Sequence, residues 1–158
     1  MQSLFKFPIK VYADTSVIGG VFDVEFKRDS VKFFDLVKRN YFKLVISPVV
    51  IDEIKPAGSD INAFFNTILS YAEIVSIDNE ALDLRQAYIN EGILTIESSA
   101  DALHVALASV NRIPLIVSWN FKHIVNFKKI AFYNAVNLTR GYPSIGIYSP
   151  KEVIEYEQ

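Results

Sequence analysis

The stretch IKVYADTS, residues 9–16, decides the fold class of this sequence. Its first five residues form an apolar run that is typical of a strand buried on both faces, and Asp14 ends that run. Similar runs predict further strands at residues 43–46, 73–76 and 114–117. Helical patterns separate these runs, so the sequence predicts an α/β fold whose short, mainly parallel twisted sheet is covered by helices on both faces.

The helical patterns place apolar side chains three and four residues apart. They predict helices at residues 30–38, 60–70, 78–90 and 98–111. The last of these is apolar on nearly every side, which indicates a buried helix. Residues 130–147 contain two glycines and a proline, and they predict turns with an edge strand. Ser149 and Pro150 begin a predicted short terminal helix, with proline at its first position.

The composition excludes several classes of protein. The chain has 158 residues, of which 51% are hydrophobic and 22% charged, and this predicts a single domain over residues 1–158. Because cysteine is absent, disulfide scaffolds, thiolate metal sites and cysteine nucleophiles are excluded. The net charge of -2 argues against binding nucleic acid by overall basicity, but not against cutting it at a local site. The apolar runs are too short to span a membrane, so a cytoplasmic protein is expected.

Polar residues that follow the predicted strands are candidates for a functional site, because the carboxyl ends of parallel strands share one edge of the sheet. Asp14 follows the first strand, and Asp52 and Glu53 lie on a helix after the second. Asp101 lies in the first turn of the buried helix, and Asn120 follows the last strong strand. Carboxylates gathered at one edge repel each other, and oxygen ligands without cysteine favour a hard cation such as Mg²⁺ or Mn²⁺.

Each candidate also has a purely structural interpretation. Asp14 could cap the following helix, although its place at a strand end favours a functional role. Asp101 could complete a capping box with Ser98, and the local pattern does not decide between a cap and a site acid. Asn120 is well suited to cap a short helix at residues 121–126.

The two histidines are weaker candidates. His104 lies one turn after Asp101 on the same helix face, and it is more typical of a satisfied core histidine than of a ligand. His123 follows Asn120 by three residues and could point to the same pocket.

Four stretches, taken in order, resemble the motifs of PIN-domain proteins. They are ADTS at residues 13–16, ISPVVIDEI at 46–54, ADALHVALA at 100–108 and VSWNFKH at 117–123. Each stretch is short, but their order, their spacing and the length of the chain are together fairly specific. Within that family the chain is most similar to the VapC-type toxin ribonucleases of toxin–antitoxin pairs.

The resemblance implies a three-layer α/β/α PIN-like fold. It also implies a metal-dependent endoribonuclease that hydrolyses RNA phosphodiester bonds with a metal-activated water. In this family pattern Asp14, Glu53 and Asp101 hold Mg²⁺ or Mn²⁺ and, with Asn120, form the catalytic site. Glu53 is favoured over its neighbouring aspartate because the family's glutamate precedes an apolar residue. A small cognate antitoxin protein and a homodimer are the implied partners. Supporting contacts are expected from Thr15, Ser16, Ser118 and His123.

One position departs from the family pattern. The family commonly has an aspartate after the last strand, where this chain has Asn120. An amide oxygen can ligate Mg²⁺ but brings no charge, so a second metal ion should bind more weakly. This departure motivates an alternative, a catalytically weak PIN-like binding module. A third interpretation, a phospho-acceptor domain built around Asp14, is weakened because no adjacent acidic pair follows the first strand.

RNA would also need cations near the site. The candidates near the last strand are Arg112, Lys122, Lys128 and Lys129, and those near the first are Lys27 and Arg28. Each is more often a solvated surface charge than a phosphate contact.

Overall fold

The computed structural model describes residues 8–157, so residues 1–7 and 158 of the predicted domain lie outside the described range. Its strands are β1 (Ile9–Ala13), β2 (Phe42–Ile46), β3 (Ala72–Ile74), β4 (Leu115–Val117) and β5 (Gly146–Tyr148). They form one sheet in the order β3-β2-β1-β4-β5, and every pairing between these neighbours is parallel. The predicted α/β class is therefore confirmed.

Helices connect the strands and flank the sheet in a three-layer α/β/α arrangement. They are α1 (Thr15–Gly20), α2 (Lys27–Lys38), α3 (Pro48–Ile54), α4 (Ser59–Ile68), α5 (Asn79–Asn90), α6 (Ser99–Val110), α7 (Phe127–Thr139) and α8 (Pro150–Val153). Short 3₁₀ helices lie at Leu69–Tyr71, Ile96–Ser98 and Ile154–Glu157. Within residues 8–157, no helix combines the length and the apolar character needed to cross a membrane.

The core lies on both faces of β1 and β2. Val11, Tyr12 and Ala13 of β1 have no exposed surface, as a strand covered on both faces requires. Helix α6 is buried from Ala102 to Ser109, which confirms the predicted buried helix. The bounds of β1 are those predicted, and the other strands begin and end within about two residues of their predicted limits, the usual margin for such boundaries.

The prediction of turns throughout residues 130–147 is wrong. Helix α7 covers most of that segment, and it begins where the side chain of Asn126 accepts a 3.2 Å hydrogen bond from the Lys129 amide. It ends before Gly141, whose φ of 83° lies in the left-handed region that favours glycine. The turn signals describe only the connection from α7 to β5. The predicted edge strand and the capped terminal helix are both present, as β5 and α8.

A second local prediction, a short helix at residues 121–126, is also wrong. These residues form a turn, although Asn120 does cap it: its Oδ1 accepts a 2.9 Å hydrogen bond from the His123 amide. The predicted cap is therefore present, but the residues that follow it form a turn rather than a helix.

The strand order changes direction between β1 and β4, and this fixes where a site can form. The chain builds outward from β1 to β2 and β3, and then returns to place β4 and β5 on the other side of β1. Ligands of open α/β sheets bind beyond the carboxyl ends of the strands at such a switch point. Asp14 and Ser118 are the first residues after the two strands that flank it.

Candidate functional site

Asp14 is a buried acid at the switch point, with 4% of its surface exposed. It precedes α1 but makes no capping hydrogen bond with its side chain, so the capping interpretation fails. Instead, Ser16 Oγ donates to Oδ1 at 2.6 Å and Ser118 Oγ donates to Oδ2 at 2.7 Å. The carboxylate therefore joins the ends of β1 and β4, with each of its oxygens held by one hydroxyl.

The charge of Asp14 is unfavourably placed without a cation. Burial raises the pKa of Asp14, the imidazole of His104 and the two hydroxyl donors lower it, and the charge of Asp101 raises it again, with a net increase. Asp101 is half-buried in the first turn of α6, and Ser98 makes no side-chain cap there, so the capping-box interpretation is not supported. The two carboxyls are thus within electrostatic reach of each other, an arrangement that bound cations relieve.

Glu53, on α3, reaches the same end of the sheet. Its Oε1 accepts a 2.7 Å hydrogen bond from His104 Nε2 and a 3.0 Å hydrogen bond from Thr15 Oγ1. The hydrogen bond from His104 is the main reason that the pKa of Glu53 is lowered, and Thr15 adds to the effect. Asp52 lies on the solvent side of α3 and pairs with Lys55 at 3.0 Å, so geometry separates the two neighbouring acids.

Behind Glu53 lies a buried set of hydroxyl and imidazole groups. Tyr12 Oη is 2.7 Å from His104 Nδ1 and 2.8 Å from Ser47 Oγ. His104 is 2% exposed with both ring nitrogens hydrogen-bonded, which agrees with its interpretation as a satisfied core histidine. Sequence reasoning overlooked Tyr12, although a tyrosine in an otherwise aliphatic buried strand signals that its hydroxyl has a partner.

The segment after β4 packs against the Asp14 side of the site. The amide of Trp119 donates to Ser16 Oγ at 2.8 Å, and its indole Nε1 donates to Ser30 Oγ at 2.8 Å. The indole ring stacks on Phe26 with ring centroids 4.2 Å apart. Trp119 therefore fixes the hydroxyl that in turn holds Asp14.

Asn120 and His123 stand one step further from the acids. The amide of Asn120 donates to Ser118 Oγ at 2.9 Å, while its side-chain oxygen caps the turn that contains His123. His123 Nε2 lies 3.3 Å from Ser98 Oγ, and its Nδ1 is buried with no hydrogen-bond partner among the described residues. In this arrangement the side chain of Asn120 stabilises the turn that follows it, because its amide oxygen already accepts a hydrogen bond from the His123 amide.

The donor set fits a hard cation at two carboxylates rather than three. Within residues 8–157, no three His, Asp or Glu side chains are grouped as a metal-binding cluster. Glu53 is instead hydrogen-bonded to His104 and Thr15. Mg²⁺ is commonly held by one or two carboxylates together with waters and phosphate oxygens. Asp14 and Asp101 meet that requirement.

The predicted RNA-guiding cations are scattered. Arg112 precedes β4 and therefore lies at the opposite end of the strands from Asp14, so it cannot guide RNA into this site. Lys129 donates to the carbonyl of Ile93 at 2.8 Å. Lys122 is exposed in the turn after β4, and Lys27 and Arg28 are exposed at the start of α2.

The five-stranded parallel sheet flanked by helices is consistent with a PIN-like three-layer α/β/α fold, and comparison with solved structures supports this. VapBC2 from Rickettsia felis, bound to a DNA fragment from its promoter, has a TM-score of 0.59 at 13% identity, covering 89% of this chain and 98% of that one. A toxin–antitoxin complex from Klebsiella pneumoniae has a TM-score of 0.57 at 18% identity, covering 75% and 93%. VapBC-1 from nontypeable Haemophilus influenzae has a TM-score of 0.58 at 13% identity, covering 90% and 99%.

These likenesses confirm the predicted resemblance to VapC-type PIN-domain toxins at the level of the fold. Because the identities lie between 13% and 18%, what is shared is the fold alone. No family model matches the chain, and no curated protein matches it in sequence.

Proposed function

We propose that the chain is a metal-dependent endoribonuclease, acting in the cytoplasm as the toxin of a toxin–antitoxin pair. The observation that carries this proposal is the burial of the Asp14 carboxylate at the switch point of a PIN-like sheet, where the hydroxyls of Ser16 and Ser118 hold both of its oxygens. Asp14, which is buried, and the nearby Asp101 are poorly suited to bind an RNA phosphate directly, because both are acids. They are well suited to bind a divalent cation that then faces the phosphate.

Each residue of the site has a defined part in this proposal. Asp14 and Asp101 would hold Mg²⁺ or Mn²⁺, which supplies a Lewis acid and an activated water when it is bound. Ser16 and Ser118 hold the two oxygens of Asp14 in place, so the acid does not have to be ordered when the ion arrives. Glu53 stays ionised because its pKa is lowered, and it is available at the edge of the ion site.

The proposed partners are a cognate antitoxin protein and a second copy of the chain. The structures with this fold come from toxin–antitoxin complexes, which supports an antitoxin partner. Apolar side chains are exposed in the connection from α1 to α2 and in the turn after β4: Phe22 is 47% exposed, Val24 102% and Phe121 50%. These side chains are the candidates for contact with an antitoxin segment.

Cleavage of a mixed RNA panel tests the proposal. The full chain should cut RNA with Mg²⁺ or Mn²⁺ and stop when EDTA is added. Asp14→Asn and Asp101→Asn should each abolish cutting, because each removes one of the two carboxylates proposed to hold the ion. Asp52→Asn is the matched control, because Asp52 lies on the same helix as Glu53 but pairs with Lys55 in solvent. Full activity in either Asp14→Asn or Asp101→Asn would overturn the assigned site.

A second candidate, a binding module without efficient cleavage, is favoured by Asn120, whose amide oxygen caps a turn. It predicts RNA binding by the full chain with no cleavage in either metal. The same assay therefore separates the two candidates.

A further inference from the structure

A continuous hydrogen-bonded path runs from Ser47 to Glu53 through the core. It joins four different elements: Ser47 follows β2, Tyr12 lies in β1, His104 lies in α6 and Glu53 lies in α3. The successive distances are 2.8 Å from Ser47 Oγ to Tyr12 Oη, 2.7 Å from there to His104 Nδ1, and 2.7 Å from His104 Nε2 to Glu53 Oε1. We call these four residues the Tyr12–His104 path.

The direction of the last hydrogen bond follows from the acceptor at the end of the path. An ionised Glu53 has no proton to donate, so His104 Nε2 must carry the hydrogen of that bond. The other ring nitrogen, Nδ1, lies 2.7 Å from Tyr12 Oη, which in turn lies 2.8 Å from Ser47 Oγ, so both sides of the ring are held. Burial raises the pKa of Tyr12, which agrees with a phenol that keeps its proton.

The path acts on one oxygen of Glu53. Both hydrogen bonds that Glu53 accepts from described residues, those from His104 and Thr15, end on Oε1. The side chain is 40% exposed on a short helix, where a glutamate would otherwise sample many rotamers. Fixing Oε1 restricts those rotamers and leaves Oε2 for an incoming ligand.

We propose that Tyr12 and His104 are positioning residues: by fixing Oε1 they hold the Glu53 carboxylate at the edge of the proposed ion site and leave Oε2 available there. The inference rests on the proposed function, because it needs the cation, but the geometry of the path does not depend on RNA cleavage. Residues that orient a metal ligand from outside commonly change metal affinity by about 10–100-fold when they are lost. An effect of that size is expected here on the binding of Mn²⁺ alone.

The fold contains a second buried tyrosine that provides a matched control. Tyr88 is fully buried, as Tyr12 is, and its hydroxyl contacts Ser109 at 3.4 Å and Asn137. No carboxylate is among these partners. Removing the Tyr88 hydroxyl should therefore destabilise the core as removing that of Tyr12 does, without any effect on Glu53.

The first measurement is a Mn²⁺ titration of the metal-free chain, followed by the electron paramagnetic resonance of the free ion. His104→Leu removes the donor to Glu53 and should weaken binding at least about tenfold. His104→Gln can restore an N–H donor and should recover most of that loss. Tyr12→Phe should weaken binding more than Tyr88→Phe. Equal affinities for His104→Leu and the parent, or equal losses in Tyr12→Phe and Tyr88→Phe, would overturn the proposal.

The second measurement is ¹⁵N NMR of the histidines in the metal-free chain, which is simple because there are two, His104 and His123. The Nε2 of His104 should carry a proton, and the Nδ1 shift should change in Tyr12→Phe but not in Tyr88→Phe. An Nε2 without a proton, or an unchanged Nδ1 shift in Tyr12→Phe, would overturn the proposal even if RNA is cut. If His104 behaves as expected and Mn²⁺ binding shows the expected losses but the parent does not cut RNA, the proposed function fails and the positioning of Glu53 stands. A parent that does not bind Mn²⁺ overturns both.

Discussion

Ser118 Oγ donates a 2.7 Å hydrogen bond to Asp14 Oδ2, although 104 residues separate the two in the chain. This contact fastens the ends of β1 and β4 at the point where the strand order changes direction. It also keeps a desolvated carboxylate close to a second one, that of Asp101. The buried charge of Asp14 therefore lowers the free energy of unfolding until a cation binds, and this destabilisation can be measured.

Replacing Asp14 by asparagine should stabilise the fold at neutral pH. Asparagine has nearly the same shape and can still bond the hydroxyls of Ser16 and Ser118, but it removes a buried charge. The expected gain is on the order of 1 kcal/mol, similar to other single relieving substitutions, which corresponds to a rise in Tm of about 2–4 °C for a chain of this size. Thermal unfolding in EDTA measures it, and a lower Tm for Asp14→Asn would contradict the prediction.

The stability gained by Asp14→Asn should depend on pH. The pKa of Asp14 is raised in the folded state, so the folded parent binds this proton more readily than the unfolded chain does. The destabilisation of the folded state by the Asp14 charge is therefore absent below the ordinary pKa of an aspartate, about 4. It grows as the pH rises from there toward neutrality. Urea unfolding across that range should show the difference between Asp14→Asn and the parent closing toward acid. Asp52→Asn, which removes an exposed carboxylate, is the control for the loss of one negative charge.

Asn120→Asp should strengthen metal binding. The backbone amide of Asn120 donates to Ser118 Oγ, and that hydroxyl donates to Asp14. Aspartate also caps a turn about as well as asparagine does. The added charge should improve Mn²⁺ affinity roughly tenfold, or about 1.4 kcal/mol, and should lower the Tm of the metal-free chain because a further acid joins the site. Unchanged affinity would indicate that this side chain remains committed to the His123 amide. Strong cleavage only in the variant would favour the binding-module alternative for the parent.

Gly20→Ala should destabilise the protein by disturbing the packing around Trp119 and Ser30. A Cβ at this position would lie 2.8 Å from Trp119 Nε1 and would also collide with Ser30, so it would disturb the bond between those two residues. Overpacking of this kind costs about 1–3 kcal/mol. Gly19→Ala is the control, since a Cβ there meets nothing within 4 Å and α1 should gain up to about 1 kcal/mol from the better helix former.

Fluorescence of Trp119, the sole tryptophan, reports on both unfolding transitions. Equal stabilities for Gly20→Ala and Gly19→Ala would show that the space behind Trp119 is not tightly packed.

The sequence predicted those elements in which local pattern and tertiary packing agree. β1 is apolar throughout its buried part, and α6 is apolar on every side, so each was evident from a short window. Helix α7 was missed because its apolar residues lie on both faces: Tyr133 is buried, while Phe127 is 94% exposed and Leu138 61% exposed. That distribution hides the helical period, and the nearby glycines and proline then suggested turns.

The residues of the site also differ in whether a local sequence signal could identify them. Asp14 could be identified because an acid at the end of a buried strand is conspicuous in one window of sequence. The contact of His104 with Glu53 spans 51 residues and that with Tyr12 spans 92, so neither has a local signal. These contacts depend on how α6 and α3 pack against β1, and packing of that kind has no period in the sequence.

β1 is the middle strand of the sheet, paired on both edges, and the Asp14 amide at its end bonds to the carbonyl of Val117 at 3.4 Å. Central strands open only when the whole molecule unfolds, whereas short, partly exposed helices such as α3 open far more often. Deuterium should therefore enter the amides of β1 at the rate of global unfolding and those around Glu53 much sooner. Asp14 would then stay in place for as long as the protein is folded, whereas Glu53 would leave its position and return to it many times in the same period.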